Sequence, residues 1–460
     1  MSRLAHRFGF LILFLLLLTA CAPQPTDWRV ITHPDGPLYV GDWVSFEILA
    51  PPGEEVDGKT VTVSFGEQML GSATFTPSGI GRRVQATLWW VWDTRQLSPG
   101  RYRLDFRLDD KLTWSKTIRL HPAEQVPPPE PATWQERETE CCRLYYISGT
   151  DAARDIEVLA KLVDAESRTV CELMGAQPVE RIIIYFMPRI IGHGGFAWNG
   201  LYLSYLDDGY VGGDIAVVLR HEFVHAYDNQ LGGTCRLSIF QEGLATLLTG
   251  GHFKREPILA RASALLDLGW YLPLEPLTDD FYNQQHEIGY LQAAALVEYL
   301  RAQYGAERFD AFYRSMDCTA GETPSKILDS ALRRKFGLTL VELDQAFRAY
   351  LEAQPDDLAA RQDLETTVAY MDTVRRYQRV FDPSAYFLTA WLPDGEQMRQ
   401  RGIVADFTRR PQRLPNLYLE SQLRRAHAQW FAGEYEAALH TLERINHLLT
   451  WAEQLRSFFP

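Results

Sequence analysis

His221-Glu222-Phe223-Val224-His225 sits inside a run, 215–231, that reads as one helix, with Asp214 as an N-cap and Gly232-Gly233 as a stop. Residues four apart stack on one face of a helix, so His221 and His225 aim two imidazoles at one point. A neutral imidazole nitrogen is a good zinc ligand. Glu222 stands beside that point, where a carboxylate suits a general base for water activated by a metal. Val217, Val218, Leu219, Phe223 and Val224 surround the motif with apolar side chains. A buried helix does not gather two His and a Glu without partners for them. The plainer reading is a pair of core histidines satisfied by hydrogen bonds.

A catalytic zinc takes three protein ligands and keeps one position open. Glu242, in Phe240-Gln241-Glu242-Gly243-Leu244-Ala245, follows His225 by seventeen residues, on the next expected helix, 239–248. That spacing lets one helix turn back against the other, and Gly243 and Ala245 are small enough for close approach. A solvated carboxylate at a helix N-terminus is the plain alternative for Glu242. Asp228 and His252 are rival third ligands, although Asp228 is better placed to hold an imidazole from behind.

The two motifs together resemble the gluzincin metallopeptidases, specifically the peptidase MA-like domain, over roughly residues 145–350. The resemblance implies His221, His225 and Glu242 as ligands of one Zn2+ and Glu222 as catalytic base. It implies a thermolysin-like zincin fold, a small sheet over two zinc-bearing helices, and a peptide or protein substrate. No His-x-x-Gly-x-x-His continues from His225, so the metzincin extension is absent. The Gly-x-Met-Glu-Asn signature of the aminopeptidase branch is missing too, and the expectation is an endopeptidase. Such chemistry needs a second electrophile for the oxyanion. Tyr282-Asn283-Gln284-Gln285-His286-Glu287-Ile288-Gly289-Tyr290 supplies candidates, Tyr290 before His286, and Tyr290 reads equally as an aromatic packed at a helix start. The strand expected at 201–206 would form the sheet edge above the metal, where an extended peptide could add by main-chain hydrogen bonds. Gly192, Gly194 and Gly195 would let it come close. A plain β-hairpin is the alternative.

The surrounding chain is multidomain: 460 residues exceed one domain at roughly 150 residues each. Arg3, His6 and Arg7 precede an apolar run, 8–18, too short to span a bilayer, so 1–20 reads as a signal peptide. Leu18-Thr19-Ala20-Cys21 resembles the bacterial lipobox. That implies cleavage before Cys21, lipid on its thiol and new amine, and a lipid-anchored position outside the cytoplasm. An ordinary secretory signal with an incidental cysteine is the alternative. Residues 21–27 read as the tether. From 28 to 121 short alternating segments such as Thr60-Val61-Thr62-Val63-Ser64-Phe65 are separated by Pro-, Gly- and Asp-rich turns, the pattern of an Ig-like β-sandwich. Residues 122–134, with Pro127-Pro128-Pro129 and Pro131, read as a stiff linker.

The central α+β domain, 135–355, is expected to hold strands at 144–147, 181–187 and 201–206. Its expected helices are 151–174, 215–231, 239–248, 290–304, 309–317, 324–336 and 340–353. The region 356–460 reads as helical. Ala426, Trp430, Tyr435 and Ala438 suit a tetratricopeptide-like hairpin, although one unit is weak evidence and an ordinary hairpin fits as well.

The net charge of −13 argues against non-specific nucleic-acid binding, which needs a basic surface. Beyond Cys21 stand Cys141, Cys142, Cys171, Cys235 and Cys318, an odd set with no Cys-x-x-Cys pair, so at least one is free or pairs with another chain. The competing function is a non-catalytic surface lipoprotein scaffold binding a protein or cell-wall partner, with the metal helix as a relic. A purely structural site has no need of Glu222.

Overall fold

The computed structural model describes residues 28–458 apart from 52, 79–81, 110–111, 127–131, 178–180, 190–193, 206–208, 319–320 and 392–393. The expected signal peptide, Cys21 and its tether lie outside the described residues, as do the proline cluster at 127–131 and Gly192. Among the described residues no helix is long and apolar enough to cross a membrane.

The N-terminal region is sheet-rich. Its strands are β1 (Arg29–His33), β2 (Leu38–Tyr39), β3 (Trp43–Leu49), β4 (Thr60–Phe65), β5 (Gln68–Thr74), β6 (Thr76–Ser78), β7 (Arg83–Asp93), β8 (Gly100–Leu108) and β9 (Leu112–His121). They form two sheets, ordered β1-β3-β7-β6 and β2-β9-β8-β4-β5. Alternation drives the layering: Leu104, Phe106 and Leu108 of β8 point inward with Val61 and Val63 of β4, to meet Val44, Phe46 and Ile48 from the other sheet in one core.

The central sheet, ordered β10-β11-β12-β14-β13, contains β10 (Trp134–Glu138), β11 (Cys142–Ile147), β12 (Ile182–Met187), β13 (Gly195–Trp198) and β14 (Gly200–Ser204). Strands β11, β12 and β14 run parallel, and both of their faces are buried. Leu144, Tyr146, Ile184, Phe186, Leu201 and Leu203 face the main core, while Tyr145, Ile147, Tyr185, Met187 and Tyr202 face a second one. This explains the unbroken apolar run of β12. Two strands escape the sequence pattern. β10 begins at Trp134, within the expected linker, and its mostly exposed polar residues carry no alternation. β13 corrects the expected edge: residues 201–204 lie inside the sheet, and β13 is the terminal strand, hairpinned antiparallel to β14.

The helices are α1 (Asp151–Met174), α2 (Ile215–Asp228), α3 (Ser238–Thr249), α4 (Ile258–Asp267), α5 (Leu274–Asp279), α6 (His286–Tyr304), α7 (Ala306–Tyr313), α8 (Pro324–Phe336), α9 (Leu340–Glu352), α10 (Leu358–Phe381), α11 (Pro383–Ala390), α12 (Gly395–Arg401), α13 (Ala405–Thr408), α14 (Leu414–Phe431) and α15 (Tyr435–Phe458). α6 starts one turn earlier than its apolar pattern suggests, because Gln285 caps it by accepting from the Ile288 N–H at 2.9 Å.

The C-terminal part is helical, and it joins the other regions. Tyr370, Met371, Val374 and Tyr377 of α10 pack with Leu423, Ala426 and Trp430 of α14 and with Ala438 and Leu442 of α15. Residues of α11–α13 wedge between the first region and the central sheet: Phe387, Leu388, Trp391, Met398 and Phe407 share a core with Tyr145, Tyr185 and Trp90. Trp90 reaches them from β7 because the register shifts there and its φ is +48°. That left-handed backbone is costly for a bulky residue, but it turns the indole outward. Its Nε1 donates to Asp406 Oδ2 at 2.8 Å, and its ring meets Trp391 edge-on at 4.5 Å.

Candidate metal centre

α2 passes beneath β13 and carries the His-Glu pair into the core. Asp214 caps the helix, its side chain accepting from the Ala216 N–H at 2.9 Å. His221, Glu222 and His225 are all buried. The helix then reverses into α3 through a turn held by one cluster. Asp228 accepts from Arg236 Nε at 3.0 Å, from the Tyr313 hydroxyl at 2.8 Å and from Arg314 at 3.0 Å. Both arginines also donate to the Gly232 carbonyl, and the Cys235–Cys318 disulfide ties the turn to the segment after α7. Asp228 therefore does not hold an imidazole, as the sequence suggested. Its carboxylate lies at the end of α2 and is already shared by three donors from the turn and α7.

The reversal delivers Glu242. Its Oε2 stands 3.3 Å from His221 Nε2 and 3.1 Å from His225 Nε2. His221, His225 and Glu242 are the one group of three or more potential metal ligands among the described residues whose ligating atoms all converge, within 4.8 Å of one another. His252, the rival ligand, is not in it: its ring stacks on Tyr290, centroids 4.2 Å apart. Gly243 does permit a close approach, but to α6. A Cβ there would stand 2.5 Å from the Ala293 carbonyl oxygen.

The donor set can be tested against zinc. Ligands about 2.0–2.1 Å from a tetrahedral ion stand about 3.3 Å from one another, so the two observed separations fit. The chemistry fits as well, with two imidazoles and a carboxylate aimed at one point. Glu222 is outside the trio, and its Oε2 is buried with no hydrogen-bond partner. Burial lifts the Glu222 carboxyl to about 8, with the Glu242 charge adding to the effect. Burial also holds His221 below its ordinary value. For His225 burial pulls downward, but the Glu242 carboxylate outweighs it and raises the imidazole to about 9. Burial would raise Glu242 too, yet the two imidazoles hold it well below the usual carboxylate range.

Tyr290 lies one turn into α6, buried, with its ring 6.2 Å from that of His221. Burial and the Glu242 charge push its phenol well above the ordinary value, so it stays protonated. His286, one turn earlier, stacks on Tyr290 at 4.3 Å. Sequence reasoning passed over Tyr282, which stood only among a run of candidates. Its hydroxyl donates to Glu242 Oε1 at 2.7 Å, which leaves Oε2 for the imidazole side. The sequence signal was faint, because a tyrosine in a polar loop has no periodicity to place it.

β13 runs directly over Glu222. A Cβ on Gly195 would sit 3.2 Å from Glu222 Oε1, and one on Gly194 would sit 2.9 Å from Val218. Glycine is required for that approach, and Gly194 also adopts φ +84°.

No family model matches the chain, and no curated protein matches it. Solved structures do. An M1 zinc metallopeptidase from Deinococcus radiodurans is 13% identical, with 68% of this chain and 90% of that one covered, at a TM-score of 0.32. An aminopeptidase N family protein from Idiomarina loihiensis is also 13% identical, with 69% and 78% covered, at a TM-score of 0.27.

Proposed function

We propose that this chain is a zinc-dependent peptidase of the gluzincin type, thermolysin-like in its central part, in which His221, His225 and Glu242 hold the metal. One observation carries the reading: two imidazoles and a carboxylate converge at 3.1 and 3.3 Å, beside a buried Glu222 oxygen, Oε2, with no hydrogen-bond partner. Bound there, a zinc ion would polarise a peptide carbonyl and a water, and would draw Glu222 back toward its ionised form. Glu222 takes the proton of the attacking water on its carboxylate and returns it to the leaving amine. Tyr290, kept protonated by burial, donates to the oxyanion. Tyr282 orients Glu242 through Oε1 and is a positioning residue.

The substrate backbone pairs with β13, the terminal strand over Glu222, by main-chain hydrogen bonds. An extended peptide pairing along that strand would run past the site on both sides, which favours an endopeptidase. Lipid on Cys21 would hold the enzyme at a membrane outside the cytoplasm.

The deciding experiment compares wild type with Glu222→Gln on a peptide library, with zinc content measured for both. Both proteins are expected to hold one zinc per chain, and the variant to lose about 100-fold or more in cleavage. Equal cleavage by the two rejects the proposed role of Glu222. A wild type without zinc rejects the metal centre.

A further inference from the structure

Three of the five described cysteines lie at or next to one cleft, beside the start of β11 and the end of α1. Cys141 and Cys142 are bridged to each other immediately before β11, and Cys171 lies in the last turns of α1 as a free thiol. Cys141 and Cys171 line the same cleft, of about 480 Å3, together with Asp164, Ser167 and Arg168. The cleft is held in register because Asp164 of α1 accepts from the Cys141 N–H at 3.1 Å. Asp164 and Cys171 are seven residues apart, two turns, and so share a helix face.

The Cys141–Cys142 bridge is not explained as a staple. A disulfide stabilises mainly by restricting the unfolded chain, and the effect grows with the length of loop it closes. The Cys235–Cys318 bridge spans 83 residues and fixes the turn between α2 and α3. A bridge between adjacent residues closes almost no loop. Its two sulfurs also differ: Cys142 is fully buried in the main core, whereas Cys141 is partly exposed and opens on the cleft.

We propose that Cys141, Cys142 and Cys171 form a thiol–disulfide exchange site. The Cys171 thiolate attacks Cys141 Sγ from the cleft. The Cys171–Cys141 bond forms as the Cys141–Cys142 bond breaks, and Cys142 leaves as a thiolate that takes up the proton Cys171 lost. The step is redox-neutral and needs no other reactant. Burial of Cys142 sets its direction, since of the two bridged residues only Cys141 lines the cleft that Cys171 also lines. The site sits beside α2: Ser167, one turn before Cys171 on α1, bonds to the Tyr227 hydroxyl of α2 at 2.5 Å.

The test is peptide mapping under non-reducing conditions after rapid alkylation. Trypsin places Cys141 and Cys142 in the peptide ending at Arg143, and Cys171 in the one ending at Arg181. In Cys142→Ser incubated with oxidised glutathione as the disulfide donor these two peptides are expected to be joined by a Cys141–Cys171 bond, while in Cys141→Ser treated in the same way they remain separate. In wild type, label is expected on Cys142 as well as on Cys171. An intact Cys235–Cys318 bridge certifies the fold of each variant. The proposal is overturned if both thiols of folded Cys142→Ser are alkylated, or if Cys141→Ser joins the peptides equally well. Should a variant fail to fold, wild type decides: label confined to Cys171 at every time point overturns the exchange.

Discussion

Gly243→Ala probes whether the proposed metal site depends on how α3 and α6 cross. The added Cβ would stand 2.5 Å from the Ala293 carbonyl oxygen, 2.8 Å from its carbon and 3.0 Å from Val297 Cγ2. Two of these are backbone atoms in the middle of a helix, and they have no side-chain rotamer by which to yield. Ordinary contact requires α3 to move outward by roughly 1 Å, and such overpacking costs about 1–3 kcal/mol. Alanine returns about 1 kcal/mol of helix propensity. The net loss of about 0–2 kcal/mol lowers Tm by up to a few degrees. The larger effect falls on the neighbouring residue, because Glu242 rides on the displaced helix and its Oε2 leaves the 3.1 and 3.3 Å positions beside His225 and His221. Zinc affinity is expected to fall about 10-fold or more, read by competition with a chromogenic chelator. Gly289→Ala is the control. It makes the same change in α6, where the nearest atoms to the new Cβ are 3.7 Å or more away, and it should be neutral or stabilising by up to about 1 kcal/mol. If Gly243→Ala melts like Gly289→Ala and binds zinc like wild type, the crossing does not position Glu242 and the reasoning fails.

Tyr282→Phe removes only the hydroxyl that donates to Glu242 Oε1, on a ring that is 53% exposed, so Tm should hold while zinc affinity drops about 10–100-fold. Unchanged affinity would show that Glu242 is oriented without it. At the seam of the N-terminal region, burial lifts the Asp406 carboxyl to about 6 despite the bond from Trp90. Its folded pKa exceeds the unfolded value, so the folded state is favoured while the group is protonated and loses stability as pH rises through about 6. Asp406→Asn keeps an acceptor for the indole and removes the charge. Urea unfolding should show it more stable than wild type by about 2–3 kcal/mol above pH 7, with the difference gone near pH 4. A pH-independent difference would mean that the carboxyl is not the source.

Much of the site was legible as local pattern. The four-residue spacing of His221 and His225 depends only on helix geometry, and the apolar residues around them imply burial. Glu242 was legible because a second helix with a single carboxylate followed at the right distance. Less was legible where no period marks a residue. β13 consists of Gly195-Phe196-Ala197-Trp198, too short to alternate, and so the edge over Glu222 was assigned to the strand beside it. Asp228 was read by its distance along the chain from His225, while in space Tyr313 and Arg314, more than eighty residues away, claim it.

The sequence by itself determined the elements and the donor types: where helices start and stop, which faces are apolar, and which residues can bind a cation. These follow from interactions within a few residues of one another. Only the tertiary structure decided which donors meet. Glu242 reaches the imidazoles because Arg236, Arg314 and the Cys235–Cys318 bridge fix a turn, and because Gly243 lets α3 lie against α6. The same holds for the wedge of α11–α13, whose aromatic residues complete a core with Tyr145, Tyr185 and Trp90. Contacts between residues so distant in sequence depend on the packing of whole elements, and no spacing along the chain encodes them.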